Sequence, residues 1–201
     1  MTRTRLRGGV CVLAVLFAAV AAVATGAVGA ARGAPPAEGA ADPGPENAIT
    51  FEPLAVVFAR TIAVEYERGF DLVGVHFGVA LTLGDFATAG DNAQSGTFRG
   101  VALTFGARFY PWSRAPSGAF FGPFGSLAWV DAETSDATAS GFGWSAGALA
   151  GWTLILGRSF DLSLGAGAAW YDANAQRAQG ESDTARSGIQ AALRLAIGAA
   201  F

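Results

Sequence analysis

From about residue 49 onward, large apolar residues recur at every second position, the period of a β-strand and not of a helix. Residues 71–84 show it most clearly. Val73, Val75, Phe77, Val79, Leu81 and Leu83 fall on one face, and Gly74, His76, Gly78, Ala80, Thr82 and Gly84 on the other. In 98–110, Val101, Leu103, Phe105, Ala107 and Phe109 oppose Gly100, Ala102, Thr104, Gly106 and Arg108. Phe142, Trp144, Ala146, Ala148, Ala150, Trp152 and Leu154 continue the greasy set, as do Phe160, Leu162, Leu164, Ala166, Ala168 and Trp170. The last segment alternates Ile189, Ala191, Leu193, Leu195, Ile197, Ala199 and Phe201 with Gln190, Ala192, Arg194 and Gly198. Seven strands are predicted, at about 60–69, 71–84, 97–110, 119–132, 141–155, 159–172 and 187–201. The faces of 119–132 stay open, because Phe120, Phe121 and Phe124 fall on both.

A soluble sandwich points its large residues inward and carries charge outside. Here the second face is Gly, Ala, Ser and Thr with an occasional charge, which suits the crowded inside of a narrow closed barrel. The greasy face would then meet lipid. Strands of about 9–11 residues suffice to cross a membrane when tilted, and only a closed barrel leaves no unpaired edge there. Short connections at 69–71, 111–118 and 157–159 alternate with longer polar ones at 85–97, 131–140 and 172–187, as in outer-membrane barrels. Trp112 and Trp152 fall near short turns, and Trp129, Trp144 and Trp170 near long loops, giving two aromatic girdles. Such barrels have even strand numbers, so an eighth strand is expected at 49–58 despite Pro53, which strand ends and bulges tolerate. The competing placement tucks 49–58 into the barrel mouth. The fold expected is all-β: a closed antiparallel up-and-down transmembrane β-barrel of eight strands, both termini periplasmic.

Composition agrees. The chain of 201 residues is 52% hydrophobic and only 14% charged, against about 25% in an ordinary soluble domain. That is too apolar for disorder and too poor in charge for an ordinary soluble enzyme. At the start, Arg3, Arg5 and Arg7 precede an apolar run from Val10 to Ala24, and Val28-Gly29-Ala30 fits a small-x-small cleavage site. Residues 1–30 are therefore expected to be a signal peptide, the rival being an uncleaved anchor reaching Ala31. Cys11 lies inside the apolar run and reads as a small hydrophobe, not a lipidation site. Residues 31–47, with Pro35, Pro36, Pro43 and Pro45, read as a disordered Ala/Pro/Gly-rich tail, and 48–201 as the barrel domain. Cleavage would leave ten Arg against 16 acids, a net charge of −6, with no cysteine. A negative, lysine-free chain is a poor nucleic-acid binder.

The final strand, with Leu193, Leu195, Ile197 and a terminal Phe201, resembles the assembly signal that ends outer-membrane barrels. Tyr66-Glu67-Arg68, Phe109-Tyr110-Pro111, Phe121-Gly122-Pro123-Phe124-Gly125 and Ala150-Gly151-Trp152 with 162–167 look like recurring pieces of small bacterial eight-stranded barrels. Over about 49–201 the chain is similar to the OmpA N-terminal domain, OmpX and OmpW, and to outer-membrane barrel families of unknown function. The resemblance implies recognition of the last strand by the barrel assembly machinery. It does not imply one function, since members differ.

The charged residues expected inside the barrel are Glu65, Glu67, His76, Arg108, Asp161 and Arg194. In a narrow, poorly solvated interior they must pair, with Arg108 and Arg194 as the cations. A salt-bridge plug that fixes strand register is the plainer reading, and a gated ion path the sharper one. A lipid-modifying enzyme is the less favoured alternative: nucleophilic catalysis needs a base beside a nucleophile, and the single histidine, His76, falls on the lumen face. No catalytic, cofactor or metal site is expected, with one His and no mature Cys. The acids Asp85, Asp91, Asp131, Glu133, Asp136, Asp172, Glu181 and Asp183 fall in the long connections and could meet cations held by lipopolysaccharide. A solvated face explains them as well. The expectation is a monomer among outer-membrane lipids and lipopolysaccharide, structural or adhesive in role, with a small-solute or ion-conducting channel as the alternative. Eight strands leave room for little more than side chains, which disfavours a wide pore.

Overall fold

Alternation this regular has one use for its two faces, and the strands close on themselves to provide it. The computed structural model describes residues 44–87, 95–134, 138–157, 159–177 and 184–201. Eight strands follow one another in chain order: β1 (Asn47–Phe51), β2 (Thr61–Phe70), β3 (Val73–Ala87), β4 (Ser95–Phe109), β5 (Gly118–Thr134), β6 (Thr138–Leu156), β7 (Phe160–Arg177) and β8 (Thr184–Ala200). Each pairs antiparallel with its neighbours, and β1 pairs with β8 to close the barrel. The seven expected strands all occur, most of them reaching further at the long-connection ends. Asp85, Asp131, Glu133 and Asp172 therefore lie on β3, β5 and β7, where loops were expected. Asp91, Asp136, Glu181 and Asp183 lie outside the described residues, as do the expected signal peptide and the tail up to residue 43.

The eighth strand departs from expectation. Only Asn47–Phe51 is extended, and it starts two residues before the expected 49. Residues Pro53–Ala59 form a helix, α1, which ends at Arg60 in the left-handed conformation. Pro53 explains the break: a ring that would remove a ladder hydrogen bond is instead at home in the first turn of a helix. Glu52 N–H still donates to the Ala63 carbonyl at 3.2 Å, which holds the turn against β2.

Large side chains point away from the barrel axis. Val75, Phe77, Phe105, Leu154, Leu164 and Trp170 are exposed, while His76, Arg108, Thr153, Asp161 and Ser163 are buried. On β5, Phe120 is buried and Phe121 exposed, so period two holds there as well. Phe120 packs inside against Tyr110, with ring centroids 5.8 Å apart, and Leu149 joins them. Phe121 meets Phe109 on the outer face, edge to face at 5.5 Å.

Candidate functional site

The inner wall gathers charge toward the short-turn ends of the strands, and small residues make the room. Glu65 lies opposite Gly78, Arg108 opposite Gly74, His76 opposite Gly106 and Arg194 opposite Gly165. Two of these glycines are close-approach positions. A Cβ at Gly74 would strike the Glu67 carboxylate, and one at Gly106 would strike both the His76 ring and the Pro123 carbonyl. Each long polar side chain thus lies across a neighbouring strand that has nothing to obstruct it.

Arg108, on β4, is the first hub. Its Nη2 donates to Glu65 Oε1 at 2.7 Å and its Nη1 to Glu67 Oε2, both acids on β2. The guanidinium lies 5.2 Å from the centre of the Phe120 ring, a favourable face for a cation. Tyr110 closes the group from the short-turn side, donating from its hydroxyl to Glu67 Oε1 at 2.6 Å. Arg194, on β8, is the second hub. It donates from Nη2 to Glu65 Oε1 at 2.9 Å and to Thr50 Oγ1 at 3.2 Å. From Nη1 it donates to Glu52 Oε1 at 2.7 Å and to Glu65 Oε2 at 3.2 Å, and from Nε to Ser163 Oγ at 3.2 Å. His76 Nδ1 lies 3.0 Å from Glu65 Oε2, an ion-pair distance without the alignment of a hydrogen bond. Glu65 is therefore shared by both guanidiniums and the imidazole.

Five of the six residues expected inside meet in this one network. Asp161 does not join it. It is buried on β7, and its Oδ1 has no hydrogen-bond partner among the described residues. Sequence reasoning missed Glu52, Thr50, Tyr110 and Ser163. The signal for Tyr110 was present, since it shares the inward parity of Arg108. Glu52 had none, because it lies where the strand pattern fails.

A cavity of about 250 Å³ adjoins the network on the side away from the short turns. Glu52, Glu65, His76, Arg108 and Arg194 line its polar part, and Ala55, Ala63, Phe124, Leu149 and Ala192 its apolar part. No cluster of three or more His, Cys, Asp or Glu with metal-binding spacing occurs among the described residues.

The other expected positions lie on the outer face. Trp129, Trp144, Trp152 and Trp170 are exposed on β5, β6 and β7, and Trp112 on a short turn. Leu193, Ile197 and Phe201 are exposed, while Leu195 is half-buried opposite Leu164. Comparison of the chain with family models, with curated proteins and with solved structures gives no match.

Proposed function

We propose that this barrel is integral to an outer membrane and serves a structural or adhesive role in the envelope, its interior closed by the Arg108–Arg194 network. The observation that carries this reading is the inverted polarity of the wall: apolar and aromatic outside, paired charge within. In water such an exterior would be an aggregation site; in hydrocarbon it is what a spanning barrel needs. The tryptophan spacing supports it. Trp144 and Trp152 are eight positions apart on β6. At a rise of about 3.4 Å that is about 27 Å along the strand, or about 21 Å at a tilt near 40°, close to the apolar band of such barrels.

On this reading the short turns and both chain termini face the periplasm, the long connections face outward among lipopolysaccharide, and the last strand engages the assembly machinery. The reading is non-enzymatic, because His76 is held against Glu65 and not beside a nucleophile. Heat modifiability tests it. Unboiled and boiled samples should migrate differently in a detergent gel, and equal migration would sink the barrel-in-membrane reading. Deleting Phe201 should reduce the yield of the heat-shifted form in cells severalfold; unchanged insertion would remove the assembly-signal role.

One observation favours a second reading, a narrow ion path: the cavity ends directly on the network, so a rearranged network would lengthen it. Planar-bilayer recording decides. Arg108→Ala or Arg194→Ala should raise conductance above that of the parent protein if the network is the barrier, and silent traces for all three would leave the structural role alone.

A further inference from the structure

The wall is least complete between β1 and β8. β7 and β8 pair from Ala175↔Thr184 to Phe160↔Ala199, but β1 meets β8 only from Ala48↔Ala200 to Phe51↔Ile197. Residues 184–196 of β8 thus meet no strand on that side among the described residues. Where β1 would continue, the chain turns into α1. Exposure concentrates at this gap: Ile189 is 75% exposed, Leu193 74% and Val57 73%, against 40% for Phe77 and 53% for Trp152 on the intact wall. The cavity lies directly behind the gap and is lined from both of its sides, by Glu52, Ala55 and Thr61 and by Ala192, Leu193 and Arg194. An open edge in hydrocarbon leaves backbone groups unmet, so a lipid-phase molecule carrying a polar head gains most at this place.

The segment at Glu52 already imitates such a molecule. It presents a carboxylate to Arg194 Nη1 at 2.7 Å, followed by apolar chain whose Ala55 lines the cavity. The Glu52 side chain is 29% exposed while that of Arg194 is 5%, so the carboxylate is the replaceable member of the pair. Without Glu52 the network holds Arg108 and Arg194 against Glu65 and Glu67. A foreign carboxylate would replace Glu52 charge for charge. The volume falls below the roughly 300–1,000 Å³ of drug-sized pockets, which fits one alkyl chain and not two.

We infer that Glu52 and α1 form a built-in competitor at a lateral binding site for single-chain anionic amphiphiles of the fatty-acid type, which enter from the bilayer between α1 and β8. The inference rests on the membrane reading above. The test uses full-length protein in lipid nanodiscs, with insertion verified first by the heat shift, and a fluorescent long-chain fatty acid as probe. Failure to insert would sink the membrane reading and this inference together; insertion without saturable probe binding would sink this inference alone. Glu52→Gln should bind the probe about tenfold more tightly than the parent, because the competing carboxylate is gone. On the parent itself, the free fatty acid should displace the probe and its methyl ester should not. Equal displacement by acid and ester, or equal affinity of parent and Glu52→Gln, would overturn the proposal. Bridging Ala55→Cys to Ala192→Cys with a short bismaleimide should abolish binding; full binding after bridging would show that entry does not use this gap.

Discussion

The β6–β7 ladder and the β1–β8 seam close the same barrel by different means. β6 and β7 pair without interruption from Ala139↔Arg177 to Leu156↔Phe160, a long backbone ladder to which the Thr153–Ser163 hydroxyl pair adds one side-chain hydrogen bond at 3.2 Å. The seam has a ladder of only a few residues, and side chains take over where it stops. Arg194 on β8 reaches Thr50 on β1, Glu65 on β2 and Glu52 at the start of α1. The barrel is thus joined by polar contacts just where the backbone offers fewest. A buried ion pair is in general weak support for stability, since desolvation offsets attraction. Its value here is topological: it ties β8 to β2 and to the start of α1 beyond the point where the β1–β8 ladder stops.

The comparison breaks most severely at Arg194. Arg194→Met removes the cation and leaves Glu52 and Glu65 facing one another beside Thr50. Removing one partner of a buried pair costs about 3–5 kcal/mol, because the remaining charge is uncompensated. Urea unfolding in detergent, followed by the heat-shifted band, should show a loss of that size. Combining the change with Glu52→Gln and Glu65→Gln should recover part of it. No recovery would mean that Arg194 acts through packing and not through charge.

The same two regions differ in how openly the sequence declares them. On β3, β4, β6, β7 and β8 the alternation is long and unbroken, so the strands and the inward place of His76, Arg108, Asp161 and Arg194 could be read directly. Glycine on the facing strand was readable too, as the small face of the pattern. Mutual pairing was not, because period two gives a residue's face but not its height in the barrel. Asp161 is on the correct face, yet its Oδ1 finds no hydrogen-bond partner among the described residues. In β5, Phe120 and Phe121 could not be assigned because Tyr110 makes part of the interior aromatic, so size no longer distinguishes inside from outside. At 49–58 the run Pro53-Leu54-Ala55-Val56-Val57 is apolar on every position, which strand and buried helix share. Pro53 was the deciding residue, and its fitness for a helix start outweighed its tolerance near strand ends.

Glycines on the two regions sharpen the contrast further. Gly167 lies within the β6–β7 ladder, and a Cβ there would collide with the Ala148 carbonyl, a backbone atom fixed by the ladder. Gly167→Val should therefore cost about 1–3 kcal/mol, the usual range for overpacking a well-ordered interior. Gly188 lies on β8 beside the incomplete side of the wall. The nearest atom to a Cβ there is Cε1 of Tyr171, at an ordinary contact distance of 3.6 Å. Gly188→Ala should change unfolding by less than about 0.5 kcal/mol, as substitutions away from tight packing do. The two variants measured side by side in the same urea titration give the local rigidity of each region. If Gly188→Ala proved as costly as Gly167→Val, the inner face of β8 at this level would have to be packed as tightly as the β6–β7 ladder, and the contrast between the two regions would not extend to it.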